Sequence, residues 1–320
     1  MSFSILGTGS CTPKRKVTNA ELCKFLDTSD EWIFTRTGIK ERRVLTSENL
    51  IELSKVACEN AISDAGITGE EIDMIICSTV RGDFVSPSMS CIIAKDVNPT
   101  CRYFYDMNMG CCGFISALDL AVSCFKAGKV KNVLVVCAES MTRLCDWEDR
   151  SSCVLFGDAV AAVVLGVGDS MLFTKLSVYP NSEHLNIPAC TGNSPYIEER
   201  ITDSYLTMNG QEVYKFAVSS ITKEANEALG ELKLSPNDIS YYLMHQANMR
   251  IVEAVRNRLN QSEEKFPCNM ERYGNTSSAS IPLLLDELNK SNTFNKGDKL
   301  LFGAFGAGLA TGVCVLEWCK

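Results

Sequence analysis

The chain has 320 residues, of which 46 % are hydrophobic and 22 % are charged, as in a typical globular protein. Its net charge of −8 disfavours general nucleic-acid binding, and it contains no apolar run of the roughly 20 residues needed to cross a bilayer. At the N-terminus the apolar residues precede the basic ones, which is the reverse of a secretory signal. We therefore expect a cytoplasmic protein of one large or two ordinary domains, with no nucleic-acid or membrane partner.

Apolar runs rich in β-branched residues alternate with helical patterns along the chain. Asp73–Thr79 and Lys131–Ala138 are predicted to be buried strands, because their central residues are almost all apolar. Gly113–Lys126, between them, is predicted to be a helix that is apolar almost all round and therefore buried. Pro180–Ser204 is predicted to be a long loop. This alternation is typical of an α/β fold.

The second half of the chain repeats the order of the first. The paired landmarks are a helix at Ser47–Gly66 with one at Val213–Gly230, strands starting at Ile72 and Ile239, Gly110–Cys111 with Gly274–Asn275, and Val133–Cys137 with Lys299–Gly303. The last three pairs have offsets of 167, 164 and 166 residues. Nearly constant offsets predict two duplicated βα halves, 1–168 and 169–320, although a chance alignment of generic α/β elements would look similar.

The sixteen cysteines give little support for disulfides or a metal site. The chain is long enough to bury a core without covalent links, it has no C-x-x-C pair, and its only histidines are His184 and His245. Most of the cysteines are predicted to be small buried hydrophobic residues, such as Cys77 and Cys137 inside the strand-like runs. We expect no metal and no bound cofactor.

Cys111 is the first candidate for catalysis, because it follows a glycine at the start of the buried helix. The free N–H groups and the dipole of a helix N-terminus stabilise an anion, so we expect a lowered pKa for this thiol. Cys112 is adjacent, but the next helical position points about 100° away, so only one of the two is expected to face a site.

Three further features are compatible with an active site, and each has an ordinary alternative. His245 ends a predicted strand at Tyr241–Met244, where catalytic groups of α/β proteins are common, but it could be a structural histidine. Asn275 matches Cys111 in the duplication, or is a helix cap. Gly306 and Gly308 could expose backbone N–H groups to an oxyanion, or form a plain tight turn.

Taken together, motifs along the whole chain resemble the β-ketoacyl-acyl-carrier-protein synthase III family of the thiolase superfamily. The matching stretches are Ile5–Ser10, Thr28–Ile33 with Arg36–Ile39, Cys111–Phe114, Leu155–Asp158, Met208–Gly210, His245–Asn248, Tyr273–Ser277 and Phe305–Gly308. The resemblance implies a thiolase-like, five-layered αβαβα fold made of duplicated halves. It also implies the Cys-His-Asn catalytic set, here Cys111, His245 and Asn275.

The same resemblance implies a decarboxylative condensation that starts fatty-acid synthesis. Cys111 would take the acyl group from an acyl-CoA, and the backbone N–H groups of Cys111 and Ala307 would hold the oxyanion. Malonyl-carrier protein would then lose CO2, with His245 and Asn275 as donors to the enolate oxygen. The products would be 3-oxoacyl-carrier protein, CoA and CO2, and CoA thioester would be a substrate and not a cofactor.

By resemblance, further residues contact the two substrates, and the protein is a homodimer in which a loop near Phe84–Pro87 reaches the partner's pocket. The CoA contacts are Thr28, Trp32, Arg36, Arg150, Tyr214 and Asn248, with Trp32 and Arg150 around the adenine. The carrier-protein contacts are Gln246, Ala247, Asn248, Met249, Arg250 and Lys215. Arg256 and Arg258 could add to a basic patch for this acidic partner, or could be a solvated helix face.

Several positions depart from the family's usual pattern and leave the preferred acyl donor open. They are Met109–Gly110, Ala159–Val160, Leu309–Gly312 and Val80–Pro87.

A same-fold alternative is a condensing enzyme or acyltransferase of secondary metabolism with another acceptor. A remote alternative is a papain-like cysteine hydrolase, which shares the order Cys, His, Asn but whose local signature around the cysteine is absent. A non-catalytic binding protein is a third, which the intact set disfavours.

Overall fold

A computed structural model describes residues 2–320 of the chain. The strands are β1 (Ser2–Cys11), β2 (Lys16–Thr18), β3 (Glu41–Arg43), β4 (Met74–Ser78), β5 (Tyr103–Met107), β6 (Asn132–Ser140), β7 (Asp158–Gly168), β8 (Met171–Asn181), β9 (Leu185–Asn186), β10 (Thr207–Met208), β11 (Tyr241–Met244), β12 (Lys299–Gly306) and β13 (Gly308–Glu317). The helices are α1 (Asn19–Leu22), α2 (Asp30–Thr37), α3 (Leu50–Ala65), α4 (Met89–Val97), α5 (Gly113–Lys126), α6 (Gly210–Glu231), α7 (Met249–Leu259), α8 (Met270–Tyr273) and α9 (Ser280–Lys290).

Two large sheets carry the fold, and their strand orders match. The first has the order β1-β7-β6-β4-β5, and the second, read in the corresponding direction, has the order β8-β13-β12-β11. In both sheets the first two neighbouring pairs are antiparallel and the third is parallel. The first sheet ends with β7 at Gly168 and the second begins with β8 at Met171. The predicted α/β fold with duplicated halves is therefore confirmed, with β5 as an addition to the first half.

Helices lie between the sheets and on both outer faces. The central core joins Phe114 and Ile115 of α5 and Leu284 of α9 to Val135 of β6 and Phe302 of β12. Helices α3 and α4 pack on the outer face of the first sheet, and α6 and α7 on that of the second. This gives the predicted order of five layers, αβαβα. Since α5 is enclosed by two sheets, its apolar character all round is explained.

The alignment of the two halves differs from the predicted one at the turn that carries Cys111. Short 3-10 turns at Gly110–Cys112 and Ser277–Ala279 precede α5 and α9, at an offset of 167 residues. Both turns begin with a left-handed residue, Gly110 at φ 50° and Ser277 at φ 51°. Cys111 therefore corresponds to Ser278, and the predicted match with Asn275 is wrong by three residues. The glycine in Gly274–Asn275 resembled the glycine before Cys111, but it precedes the turn.

The segment predicted as a loop is partly ordered into strands. Strand β8 extends to Asn181, and β9 pairs antiparallel with β10, so the irregular part runs over 187–206. Cys77 and Cys137 are fully buried in strands, as predicted. No helix within residues 2–320 has the length and apolarity that crossing a bilayer requires.

Candidate active site

A cavity of about 900 Å³ lies where the two halves meet. Its lining includes Cys111 from the first half and His245, Asn275 and Ala307 from the second. Trp32, Arg36, Tyr214 and Asn248 also line it. The structure thus brings the three predicted catalytic side chains and most of the predicted CoA contacts into one space.

The backbone around Cys111 is in close contact with the turn between β12 and β13. A Cβ atom added to Gly306 would lie 2.8 Å from the Cys111 nitrogen, and one added to Gly110 would lie 3.4 Å from the Ala307 nitrogen. These approaches place the N–H groups of Cys111 and Ala307 along the same corner of the cavity. This proximity is compatible with the predicted pair of oxyanion donors. Cys112 does not line the cavity; it is buried, and its thiol contacts the Ala310 carbonyl at 3.4 Å.

The expected lowering of the Cys111 pKa is wrong. Burial raises the pKa of this thiol to about 12; the nearby Ser277 hydroxyl opposes the rise, and the charge of Glu139 adds to it. The sequence pointed to the helix N-terminus but did not reveal that the sulfur of this half-buried cysteine would be desolvated at the cavity wall, nor that an acidic side chain lies close by. A thiol with a pKa this high is protonated at neutral pH.

His245 lies just beyond the end of β11, where its backbone N–H donates to the Gly303 carbonyl at 2.8 Å. Its Nδ1 atom is 2.7 Å from the Ser280 hydroxyl, and its Nε2 atom is buried with no hydrogen-bond partner among residues 2–320. Burial lowers the pKa of His245 to about 3, so the imidazole is neutral at physiological pH. Since His245 lines the cavity and Nδ1 is engaged, Nε2 is the atom left for a substrate.

Ser280 is a site residue to which sequence reasoning assigned no role. Its hydroxyl also accepts a hydrogen bond from the Gln246 N–H at 3.3 Å. A hydroxyl can either donate to Nδ1 or accept from it, so it supports both neutral tautomers of His245. In one tautomer Nε2 can accept a proton, and in the other it can donate a hydrogen bond.

Asn275 is held by backbone bonds from the first half of the chain. Its N–H donates to the Leu155 carbonyl at 2.8 Å, and its own carbonyl accepts from the Gly157 N–H at 3.0 Å. The side-chain Oδ1 accepts from the Ser277 N–H at 2.8 Å. Since Oδ1 is engaged, the amide Nδ2 of this cavity-lining residue is the group left to face a substrate.

Two of the predicted CoA contacts, Arg36 and Arg150, lie close to a third, Trp32. The N-terminus of α2 is capped by Ser29, whose hydroxyl accepts from the Trp32 N–H. The Arg36 guanidinium lies 4.5 Å from the Trp32 ring centroid, and that of Arg150 lies 5.3 Å from it. Arg150 is outside the cavity lining and bonds to Asp27, and Thr28 is also outside the lining. Asn248 donates to the Arg36 carbonyl at 3.0 Å, which links α7 to α2.

The predicted carrier-protein contacts are only partly at the surface. Arg250 is exposed at the cavity, and Lys215 lines it while paired with Glu212 at 2.7 Å. Met249 is half-buried against Gly38, and Ala247 is buried in the cavity lining. The prediction that Gln246 contacts the carrier protein is wrong. Its side chain is buried, donates to the Met244 carbonyl and accepts from the Asn269 N–H, so it is not available to a partner protein.

Arg256 and Arg258, the two arginines whose role was left open, both have partners within the chain. Arg256 pairs with Glu263 at 3.4 Å, and Arg258 donates to the Val218 carbonyl at 3.4 Å. These contacts are compatible with an ordinary helix surface and give no specific support for a basic patch.

Comparisons with known proteins agree with this geometry. A family model described as 3-oxoacyl-[acyl-carrier-protein (ACP)] synthase III matches residues 105–180, and one described as its C-terminal part matches residues 229–318. A curated relative from Clostridium acetobutylicum, named beta-ketoacyl-[acyl-carrier-protein] synthase III, is 41 % identical and aligns over 100 % of this chain and 99 % of its own length.

Two solved structures show the same fold over the whole chain. The 3-oxoacyl-[acyl-carrier-protein] synthase III of Aquifex aeolicus has a TM-score of 0.92 and 39 % identity, covering 99 % of this chain and 100 % of that one. The priming beta-ketosynthase of the R1128 polyketide biosynthetic pathway also has a TM-score of 0.92, with 33 % identity and coverage of 100 % and 97 %. With relatives this similar along its full length, the chain belongs to the β-ketoacyl-[acyl-carrier-protein] synthase III family.

Proposed function

We propose that this protein condenses an acyl-CoA with malonyl-acyl-carrier protein and releases 3-oxoacyl-carrier protein, CoA and CO2, the step that initiates fatty-acid synthesis. The observation that carries the proposal is the convergence of Cys111, His245 and Asn275 on one cavity in a member of this family. The papain-like alternative has no support from the duplicated sheets.

In the first half-reaction Cys111 takes the acyl group. Because the thiol is neutral, its proton passes to Nε2 of His245 as the sulfur attacks the thioester carbonyl. The N–H groups of Cys111 and Ala307 stabilise the tetrahedral oxyanion. When the intermediate collapses, the C–S bond to CoA breaks, and the proton on His245 goes to the departing CoA sulfur. The imidazole is then neutral again, and the acyl group is on Cys111.

In the second half-reaction a carbon–carbon bond forms. The malonyl thioester oxygen lies against Nε2–H of His245 and Nδ2–H of Asn275, which stabilise the enolate formed as CO2 leaves. The enolate carbon attacks the acyl-Cys111 carbonyl, the C–S bond to Cys111 breaks as the ketone forms, and the released thiolate takes from solvent the one proton that the overall reaction consumes. The first half-reaction needs a lone pair on Nε2 and the second needs a proton there, so between them Nδ1 gives up its proton and Nε2 takes one up by exchange with solvent. The Ser280 hydroxyl satisfies Nδ1 in both tautomers.

The direct test combines mass spectrometry with product analysis. The protein is exposed to a panel of acyl-CoAs and the modified peptide is identified, after which malonyl-carrier protein is added. We expect acylation of Cys111 and then CO2 and 3-oxoacyl-carrier protein. A Cys111→Ser variant should not accumulate acyl-enzyme, whereas Cys112→Ser, the matched control, should. Acylation at Cys112, or condensation by Cys111→Ser at the wild-type rate, would contradict the proposal.

The second candidate function is a priming condensation in polyketide synthesis. It is favoured by the relative from the R1128 pathway, which is 33 % identical over the whole chain. It would keep the same catalytic residues and differ in the acceptor. Activity with a polyketide-type carrier protein and none with that of fatty-acid synthesis would support this alternative.

We also propose that the CoA moiety binds beside Trp32 and Arg36, and that the carrier protein approaches over Arg250 and Lys215. Support comes from the cavity, which these four residues line, and from the positive charges of Arg36, Arg250 and Lys215, which suit a phosphate-bearing substrate and an acidic partner. Arg150 lies near enough to Trp32 to meet an adenine there, although Thr28 and Arg150 are outside the cavity lining.

A cytoplasmic location is supported by the sixteen cysteines, none of which is in a disulfide within residues 2–320.

The protein is proposed to act as a homodimer through the free edge of the first sheet. Strand β5 is hydrogen-bonded only to β4 among the described strands, and its Phe104 and Tyr105 are exposed. Phe84 and Val85 are also exposed. An exposed apolar edge strand readily pairs with another chain. Around a twofold axis, two β5 strands would pair antiparallel and join the two five-stranded sheets.

A further inference from the structure

Glu139, near the end of β6, is a fully buried carboxylate behind the catalytic cavity, which it does not line. Its Oε2 accepts from the Val80 N–H at 3.0 Å. Its Oε1 accepts from the Ser278 hydroxyl at 2.5 Å and from the Ser278 N–H at 3.3 Å. Among residues 2–320, no lysine or arginine forms an ion pair with it.

These bonds connect the two halves of the molecule beside the active site. Glu139 and Val80 belong to the first half, which carries Cys111, and Ser278 belongs to the second, which carries Asn275. A buried carboxylate without a cation is costly, and burial raises the pKa of Glu139 to about 7 although its hydrogen-bond donors oppose the rise. Since Glu139 does not line the cavity, any effect it has on the reaction must act through other residues.

Ser278 is next to the residue that orients the Asn275 amide. Ser277 has a left-handed backbone at φ 51°, which a residue other than glycine keeps only where its neighbours hold it. Its N–H donates to Oδ1 of Asn275 at 2.8 Å, and this bond directs Nδ2 to the cavity. If the turn at Ser277–Ala279 relaxed, the N–H of Ser277 would move, and the asparagine amide would lose its fixed orientation.

We propose that Glu139 is a positioning residue for Asn275, holding the Ser277–Ala279 turn so that the asparagine amide donates to the thioester oxygen during decarboxylation. This inference rests on the proposed function. A carboxylate suits the position because both of its oxygens accept, so one side chain can bind N–H groups from both halves. A glutamine would present an NH2 group to one of these donors and lose that bond.

The test uses Glu139→Gln and follows the two half-reactions separately. We expect kcat for CO2 release from malonyl-carrier protein to fall at least tenfold with little change in KM, because the amide acts on the developing enolate. Acyl-enzyme formation at Cys111 should stay within threefold of wild type or become faster, since removing the charge of Glu139 favours the thiolate. Equal losses in both half-reactions would overturn the inference.

A double variant distinguishes action through Asn275 from an independent effect. If Glu139 acts through this side chain, Glu139→Gln should add no further loss of CO2 release to that of Asn275→Ala. Losses that multiply would overturn the inference. If the wild-type protein is acylated but releases no CO2, both the proposed function and this inference are overturned. If the wild type is active but the losses of CO2 release in the two single variants multiply in the double variant, only the inference is overturned.

Two further variants control for folding. Glu224→Gln is the matched control, because Glu224 is also a buried glutamate with hydroxyl donors, Thr311 at 2.6 Å and Tyr179 at 3.3 Å, and lies outside the cavity lining. It should not separate the two half-reactions. If Glu139→Gln does not fold, Ser278→Ala takes its place, since it removes the 2.5 Å bond and keeps the backbone N–H. The same selective loss of CO2 release is expected, and an unselective loss counts against the inference.

Discussion

At the scale of single residues, the raised pKa of the half-buried Cys111 thiol and the lowered pKa of the buried His245 imidazole both favour the uncharged form at neutral pH. A site that already held a thiolate–imidazolium pair would react with alkylating agents near neutral pH. Because the pKa of Cys111 is raised, we expect its thiolate to form only as a substrate is attacked or as the pH becomes high. The imidazole is then needed as a base in acylation, in addition to its part in decarboxylation.

The pH dependence of alkylation tests this state of the thiol. With a pKa of about 12, the thiolate fraction of Cys111 rises roughly tenfold with each pH unit below that value. We expect its alkylation by iodoacetamide, followed on the Cys111 peptide by mass spectrometry, to rise continuously from pH 7 to pH 10. A plateau below pH 8 would instead indicate a preformed thiolate. A cysteine-containing model peptide, levelling off near its own pKa of about 8.5, is the reference.

The two donors to the enolate should differ in their effects. Asn275→Ala removes the Nδ2 donor and also the Oδ1 acceptor of the Ser277 N–H, but it leaves the thiol and its base in place. We therefore expect normal single-turnover acylation and a loss of CO2 release of roughly 10²- to 10³-fold. His245→Ala should slow both half-reactions, because the neutral thiol also loses its base. Equal damage to both steps in Asn275→Ala would show that the residue mainly maintains the shape of the site.

At the scale of secondary-structure elements, the turn after β12 determines the space around the nucleophile. Gly306 has no positive φ, so only space limits a side chain there. An added Cβ would lie 2.8 Å from the Cys111 nitrogen, closer than such atoms approach, and 3.2 Å from its Cβ, which is tighter than most such contacts. The close packing of β12 against the 3-10 turn is therefore what brings the backbone nitrogens of Cys111 and Ala307, the proposed oxyanion donors, near each other.

Gly306→Ala should displace the Cys111 turn and slow acylation by about 10²-fold, the scale expected for a misplacement of about 1 Å. Gly230→Ala is the matched control. No atom lies within 4 Å of the added Cβ in α6, and alanine favours a helix, so activity should be unchanged and the midpoint of thermal unfolding equal or slightly higher. Wild-type acylation by Gly306→Ala would contradict the close packing described here.

Elements with a strong local pattern could be predicted from the sequence, and elements that depend on distant partners could not. The apolar run of Gly113–Lys126 predicted α5 with the bounds the structure has. Strands β9 and β10 have two residues each and depend on pairing over about 20 positions, so no local pattern marked them. The roles of Ser280 and Glu139 depend on contacts with residues 35 and 139 positions away, which a sequence alone does not reveal.

At the scale of the whole molecule, the proposed catalysis needs both halves, because the proposed nucleophile comes from one and both proposed enolate donors come from the other. A second association, between two copies, is expected at β5. This strand leads directly into the turn that carries Cys111, with only Asn108 and Met109 between them. Pairing of β5 with its copy would hold the strand, and with it the start of the nucleophile turn, so the dimer would support activity as well as stability.

The dimer is tested by charging its proposed interface. We expect the wild-type protein to sediment at twice 35.2 kDa at micromolar concentration. Tyr105→Asp should raise the dimer dissociation constant at least tenfold, because a twofold axis brings two copies of the new carboxylate into an otherwise apolar contact. Its acylation rate should fall as the monomer accumulates. Tyr196→Asp, a charge placed on an exposed tyrosine in the irregular segment 187–206, is the control and should change neither. A wild-type monomer, or an unaffected dimer in Tyr105→Asp, would contradict pairing through β5.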